Sequence, residues 1–233
     1  MTIVLSSCRK PAWRAGRLPR FARALIRDEV AASVMEFALI LPILMTLGMY
    51  GVELTYMAAT NLEISQIALS VADNASRLEQ TNNSSVTPTV TEADVNSVMT
   101  GALDEGQGIS FKTNGKVILT SLEKDTATGK QYIHWQRCTG SYVAASRYGN
   151  DSTKNGLNGP AITGMGSGAT KVTAAANSAV MFAEVYYNYH GLFGTLFTKN
   201  IVFKREAAFI IRDVRNLTTG VTSSSGVTPS SCT

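Results

Sequence analysis

Apolar and polar residues divide this chain into three regimes. From Phe37 to Val52 it reads FALILPILMTLGMYGV, sixteen residues without a charge. A bilayer core takes about 20 mostly apolar residues in helix, and Val30 to Tyr56 supplies that length. Beyond it, Leu54, Met57, Ala58, Asn61, Leu62, Ser65, Ala68, Leu69, Ala72, Ala75 and Leu78 recur at spacings of three and four. That is the period of one helix face. No glycine or proline falls between Val52 and Thr81, so the pattern predicts one helix over 29–80, with about 30–56 in a membrane. At 1.5 Å per residue such a helix is about 75 Å long.

The second regime is mixed. Thr81 to Pro88 is polar and reads as a linker opening a head over 81–216. Thr91-Glu92-Ala93-Asp94 has the form of a capping box, and Val95, Val98, Met99, Ala102 and Leu103 behind it share a helix face that ends at Gly106 and Gly108. Strand-like runs follow at Lys116 to Leu122 and Lys130 to Arg137, joined through the turn residues Asp125 to Gly129. Two longer runs, Ala179 to Tyr189 and Ile201 to Arg212, predict an antiparallel hairpin. In the third regime, from Thr139 to Ala176, Gly, Ala, Ser, Thr and Asn prevail and predict long loops; the Ser/Thr-rich tail over 217–233 is mobile unless tied down. The fold class is α+β: a long N-terminal transmembrane helix continuing into a small head with an antiparallel β-sheet.

Charge orients the helix. Seven bases, Arg9, Lys10, Arg14, Arg17, Arg20, Arg23 and Arg27, precede Asp28 with no acid among them. Such a flank stays in the cytoplasm and places everything after Tyr56 outside it. Leu18, Phe21, Ala22, Leu25 and Ile26 oppose those arginines at helical spacing, so residues 1–28 form a basic segment suited to an anionic inner leaflet. From Asp28 onward 14 bases face 17 acids, a balance of −3. The sequence pI of about 9.0 therefore belongs to the membrane flank, and nucleic acid is not an expected partner. A cleaved secretory signal fits poorly, because an acid and a proline interrupt the apolar region.

The acid is Glu36. A carboxylate at the centre of a membrane helix costs about 2.5–3.5 kcal/mol on insertion scales, less near an edge. Either Glu36 escapes by snorkelling among the arginines, or it has a use. The run from Asp28 to Pro42, with Glu36 followed by Phe37 and by Pro42 six residues after the acid, resembles the start of the TadE-like family, pseudopilin-like components of the tight-adherence (Flp-type) pilus machinery. Val185-Tyr186-Tyr187-Asn188-Tyr189, then Leu192-Phe193 and an apolar strand ending in Ile211-Arg212, resembles it too; Asn82 to Ala175 does not. The resemblance implies a non-enzymatic minor pseudopilin or assembly protein with a pilin-like head, whose partners are other pilins, pilus-machinery membrane proteins and membrane lipid. In related pilins the acid pairs with the freed amine of a neighbouring subunit. A prepilin peptidase would cut between Ala31 and Ala32, where processed pilins carry Gly before the cut and this chain has Ala31. The other reading is an uncut TadG-like protein, a membrane-anchored periplasmic binding module or adhesin. Gly48 and Gly51, near Pro42, allow close approach of another helix.

Cys138 and Cys232 both fall outside the inner membrane on this topology, where disulfides persist, and are expected to pair and tie the tail; Cys8 falls on the reducing side. Catalytic chemistry is scarce. His134 in a strand and His190 at a strand end lack metal-ligand companions, and Gly164-Met165-Gly166-Ser167-Gly168-Ala169 matches only a loose dinucleotide fingerprint without its strand and helix. Tyr186, Tyr187, Tyr189 and Phe193 suit core packing. No enzyme activity, cofactor, metal or small-molecule substrate is expected.

Overall fold

In the computed structural model, which describes residues 29–78, 87–212 and 214–232, the apolar run forms a single helix, α1, over Glu29–Ser76. The basic segment 1–28 and most of the expected linker (81–86) lie outside the described residues. Pro42 lies inside α1, where its missing N–H leaves one helical bond unmade. The Thr46 hydroxyl donates to the Pro42 carbonyl at 2.7 Å. The helix ends about a turn before the expected limit: the Ser76 hydroxyl bonds the Asp73 carbonyl at 2.7 Å and the Arg77 N–H turns back to Asn74 at 3.1 Å. The chain divides into two compact units, 1–51 and 52–233.

In the first unit the described residues belong to α1. From Ala32 to Tyr50 all are exposed except the half-buried Met49. The helix is long and apolar enough to cross a membrane, and none of its most apolar stretch is buried.

In the second unit α1 packs on a sheet through a face that overlaps the expected stripe, sharing Ala68, Ala72 and Ala75 with it, but is rotated toward Ile64, Ile67 and Val71. Ile64, Ile67, Ala68, Val71, Ala72 and Ala75 are buried, whereas Leu62 is 66% and Leu69 52% exposed, with Leu54 and Ala58 also outward. Two adjacent stripes both carry apolar residues at helical spacing. The larger β-branched residues Ile64, Ile67 and Val71 take the buried side, and Arg205 donates to Ser65 Oγ at 3.0 Å and to Asn61 Oδ1 on the flank beside them.

The second helix, α2 (Glu92–Glu105), starts at the expected capping box, Thr91 N–H donating to Asp94 Oδ2 at 2.9 Å and Asp94 N–H to Thr91 Oγ1 at 3.4 Å. It buries Val95, Val98, Met99 and Ala102. A 3₁₀ turn (Gln107–Ile109) and a one-turn helix, α3 (Phe111–Asn114), follow; neither carries a period long enough to be predicted. Phe111 is fully buried between Gly106 and Gly115, where any Cβ would overlap its ring.

The four strands, β1 (Gly115–Lys124), β2 (Gln131–Thr139), β3 (Ala179–Asn188) and β4 (Val202–Ile210), lie within two residues of their expected limits and form an antiparallel sheet in the order β2-β1-β3-β4. One face carries Val117, Leu119, Met181, Ala183, Val185 and Tyr187 toward the helices. The other carries Leu122, Ile133, Val180 and Phe182 under Met165 and Ala174. The Gly/Ser/Thr/Asn-rich segment after β2 is therefore irregular, as expected, yet it forms a third layer over the sheet. Its backbone is held by Asn side chains: Asn150 Oδ1 accepts from the N–H groups of Ser152, Thr153 and Lys154, and Asn155 Oδ1 from Leu157 and Asn158. This second cover explains why β1 and β3 are buried almost throughout.

The tail is tied down. Thr222 donates to the Val90 carbonyl at 2.9 Å and accepts from the Glu92 N–H at 2.9 Å, Asn96 reaches the Thr228 carbonyl at 2.9 Å, and Cys138 and Cys232 form the expected disulfide across 94 residues.

Candidate functional site

In the first unit, the residues singled out by sequence lie along an uncovered helix. Glu36 is exposed, and Phe37 beside it is 61% exposed. Pro42 continues the same helix, and a Cβ built on Gly48 or Gly51 would meet no atom within 4 Å. Ala31 and Ala32 are the third and fourth residues of α1. Chemically this surface offers apolar contact, one carboxylate, and glycines at which a second backbone can approach.

Among the described residues the second unit holds four buried glutamates, Glu53, Glu92, Glu123 and Glu184. Glu53, 1% exposed, is the most informative, because sequence reasoning placed it inside the membrane span. The Tyr189 hydroxyl donates to its Oε1 at 2.7 Å, the Phe193 N–H to its Oε2 at 3.2 Å, and the Thr198 hydroxyl approaches Oε1 at 3.4 Å. The loop after β3 thus closes over it. Gly191 is required there, since any Cβ would strike the carboxylate, Thr198 and the Gly194 carbonyl. Tyr189 also packs its ring against Tyr56 and Phe203, so the aromatic run does serve the core while its hydroxyl holds an acid. The signal available for Glu53 is its position directly after the uncharged run that Glu36 precedes.

The other three have partners too. Arg137 Nε bridges both Glu92 oxygens at 3.1 and 3.0 Å, and its Nη2 adds a third contact; that pairing holds the guanidinium pKa above its ordinary value against the cost of burial. Glu123 accepts from Ser121 Oγ at 2.9 Å and lies 3.0 Å from His134 Nδ1. The hydrogen bond to Glu123 raises the His134 pKa, outweighing burial. His134 is a partly buried strand residue, as expected, and His190 is exposed with its ring nitrogen 2.9 Å from the Asn188 carbonyl. Glu184 accepts from Ser146, from the Arg147 N–H at 3.0 Å and from the Tyr186 hydroxyl at 3.0 Å; burial still pushes its carboxyl pKa up. These carboxylates fasten strands, loops and helix to one another.

Gly164–Ala169 belongs to the loop layer, where Met165 and Val172 exchange backbone bonds of 2.9 and 2.7 Å, with neither strand before it nor helix after it. Among the described residues no three His, Cys, Asp or Glu side chains converge on a metal position. A recess of about 500 Å³ is bounded by β4 and by Gly166, Ser167 and Val172 of the loop layer. Comparison of the chain with protein-family models, with curated proteins and with solved structures finds no match.

Proposed function

We propose that the chain is a minor pseudopilin or assembly component of a tight-adherence (Flp-type) pilus, anchored in the bacterial inner membrane through α1 with its head in the periplasm. One observation carries the reading: an uncovered apolar helix from Ala32 to Tyr50 that bears a single acid, Glu36, followed by Phe37 and then Pro42. Such a surface needs lipid or other helices around it. A single-span protein of this kind can leave the bilayer for a filament if its helix packs among neighbours as well as it packed in lipid, and the open flank at Gly48 and Gly51 supports close packing. The acid then offsets a neighbour's N-terminal amine, freed between Ala31 and Ala32, because a buried charge is tolerable only when paired. A permanently anchored periplasmic binding module is the second reading, favoured by Ala31 in the position that Gly takes in processed pilins.

Glu36→Leu separates the two. Removing the charge eases insertion, so the variant reaches wild-type level in membranes in either case. As an assembly residue, its loss abolishes pilus production and co-purification with pilus components, while leader removal, read as mature protein size, is unchanged. Normal pili from Glu36→Leu cells would reject the pseudopilin reading and leave an anchored accessory.

A further inference from the structure

The two edges of the sheet are treated differently. Along β2 the outward N–H groups are covered from three directions: Ile133 donates to the Asn155 carbonyl at 2.8 Å, Gln136 to Asp151 Oδ2 at 3.1 Å, and Cys138 to the Ser230 carbonyl at 2.7 Å. Along β4 the bonds from Tyr189 N–H to the Ile201 carbonyl (2.8 Å) and from Ile211 N–H to the Ala179 carbonyl (3.0 Å), with an unbroken register between them, turn the odd-numbered residues toward β3. Val202, Lys204, Glu206, Ala208 and Ile210 therefore present their backbone groups outward. Among the described residues nothing bonds to those five N–H groups, and of their carbonyls only that of Lys204 is engaged, by Arg205 Nη1 at 2.9 Å.

Two devices that blunt an edge, a proline and a bulge, are missing, while charge is present in Lys204, Arg205 and Glu206. β4 has nine residues, no proline and no bulge against β3. Its outward lysine is drawn back over the sheet, with Lys204 Nζ 5.7 Å from the Tyr186 ring centroid. Long edges with an unbroken row of open backbone groups are templates for another strand. We propose that β4 is the docking site for an extended segment of a partner protein that alternates acidic and apolar side chains and adds to the sheet as a fifth strand.

Chemistry on the two faces sets that alternation. On the loop side, the strand's side chains would enter the recess of about 500 Å³ beside β4, where Val172, Phe182 and Ala208 form the floor and Arg147 and Lys204 stand at the rim. Two acids lie on this side and both are engaged from within the head. Glu184, paired with Glu206 across β3 and β4, is buried under Ser146, the Arg147 N–H and the Tyr186 hydroxyl. Glu206 accepts from the Tyr148 hydroxyl at 2.9 Å and the Ser167 N–H at 2.8 Å, with half-exposed Arg147 3.6 Å from it. The exposed charges that an incoming carboxylate meets on this side are the cations Arg147 and Lys204. On the helix side the strand would lie beside half-buried Phe203, Ala207 of the core, and half-buried Phe209. Leu69, one turn beyond Ser65 on the α1 flank that holds Arg205, is 52% exposed. Apolar side chains suit that face. Main-chain bonds would give affinity and the alternating faces selectivity.

Amide hydrogen exchange of Val202–Ile210 tests this on the full-length chain in detergent micelles. The probes are a nine-residue peptide alternating valine and glutamate, a valine/lysine counterpart, and the valine/glutamate peptide with its backbone N-methylated. In the free protein the five outward amides should exchange roughly tenfold or more faster than those of Phe203, Arg205, Ala207 and Phe209. The valine/glutamate peptide alone should slow them by a similar factor. Ala208→Pro removes an outward donor without touching a bond to β3 and should lose the effect while the inward amides stay protected. Lys204→Glu, which leaves the backbone intact, should shift preference to the lysine peptide. Outward amides already slow in the free chain would overturn the proposal, assigning the edge to another part of this chain if concentration-independent and to a second copy if not. Failure of the valine/glutamate peptide to slow them, or equal slowing by all three peptides, would overturn it as well.

Discussion

Single residues in this head matter most where charge is buried. Arg137 and Glu92 are 15% and 4% exposed at the side chain, and removing one partner of such a pair strands the other. Arg137→Leu should cost about 3–5 kcal/mol in unfolding free energy, and Glu92→Leu/Arg137→Leu clearly less, because the double change leaves no unpaired charge; equal losses in urea melts would show that packing rather than pairing dominates. His134 gives a pH signature. Its folded pKa is raised by Glu123, so the stabilisation is complete below the ordinary histidine value of about 6.5 and disappears as pH rises through the higher folded value. The wild-type melting temperature should therefore fall as pH climbs from about 6.5, and His134→Gln should flatten that slope. Of the four buried glutamates among the described residues, Glu92 stood in the expected capping box and Glu53 bordered the uncharged run, but the burial of neither was legible. Glu92 and His134 find partners 45 and 11 residues away, and no local pattern encodes such pairings.

At the scale of elements, type was legible and orientation only in part, since Ala68, Ala72 and Ala75 of the expected stripe are buried while Leu62 and Leu69 are not. The strands declared themselves through β-branched and aromatic runs between turn residues, and α2 through its capping box. The rotation of α1 did not, because the stripe through Leu54, Ala58, Leu62 and Leu69 and the stripe through Ile64, Ile67 and Val71 have the same period. Ile64→Ala should cost about 2–5 kcal/mol, whereas Leu62→Ala, on the exposed flank, should stay within about 0.5 kcal/mol. The reverse ranking in thermal melts would put the outer stripe against the sheet. The loop layer was hidden for another reason: its Asn-capped turns need no periodicity, so composition marked it as loop without revealing that it covers Phe182 and Leu122. The disulfide closes a loop of 94 residues, for which chain entropy suggests about 4–5 kcal/mol. Cys138→Ser and Cys232→Ser should be equally destabilised, and the double variant no worse; additive losses would mean the two sulfurs act separately.

At the scale of the whole molecule, charge and apolar surface are distributed lengthwise. All seven bases before Asp28 lie on one side of the uncharged run, and the remainder of the chain carries a balance of −3. Loop charge near a span sets its orientation far more strongly than the acids of a distant domain, so residues 1–28 should remain in the cytoplasm. On that topology Cys138 and Cys232 stand where a disulfide persists. An alkaline phosphatase fused after Thr233 should accordingly be active, and a reporter that works only in the cytoplasm should be silent at the same position. Exchanging Arg20, Arg23 and Arg27 for glutamate should lower phosphatase activity by weakening the signal that holds the N-terminus inside. An active cytoplasmic reporter after Thr233 would reverse the topology, leave Cys138 and Cys232 in a reducing compartment, and remove the physical basis for a periplasmic head.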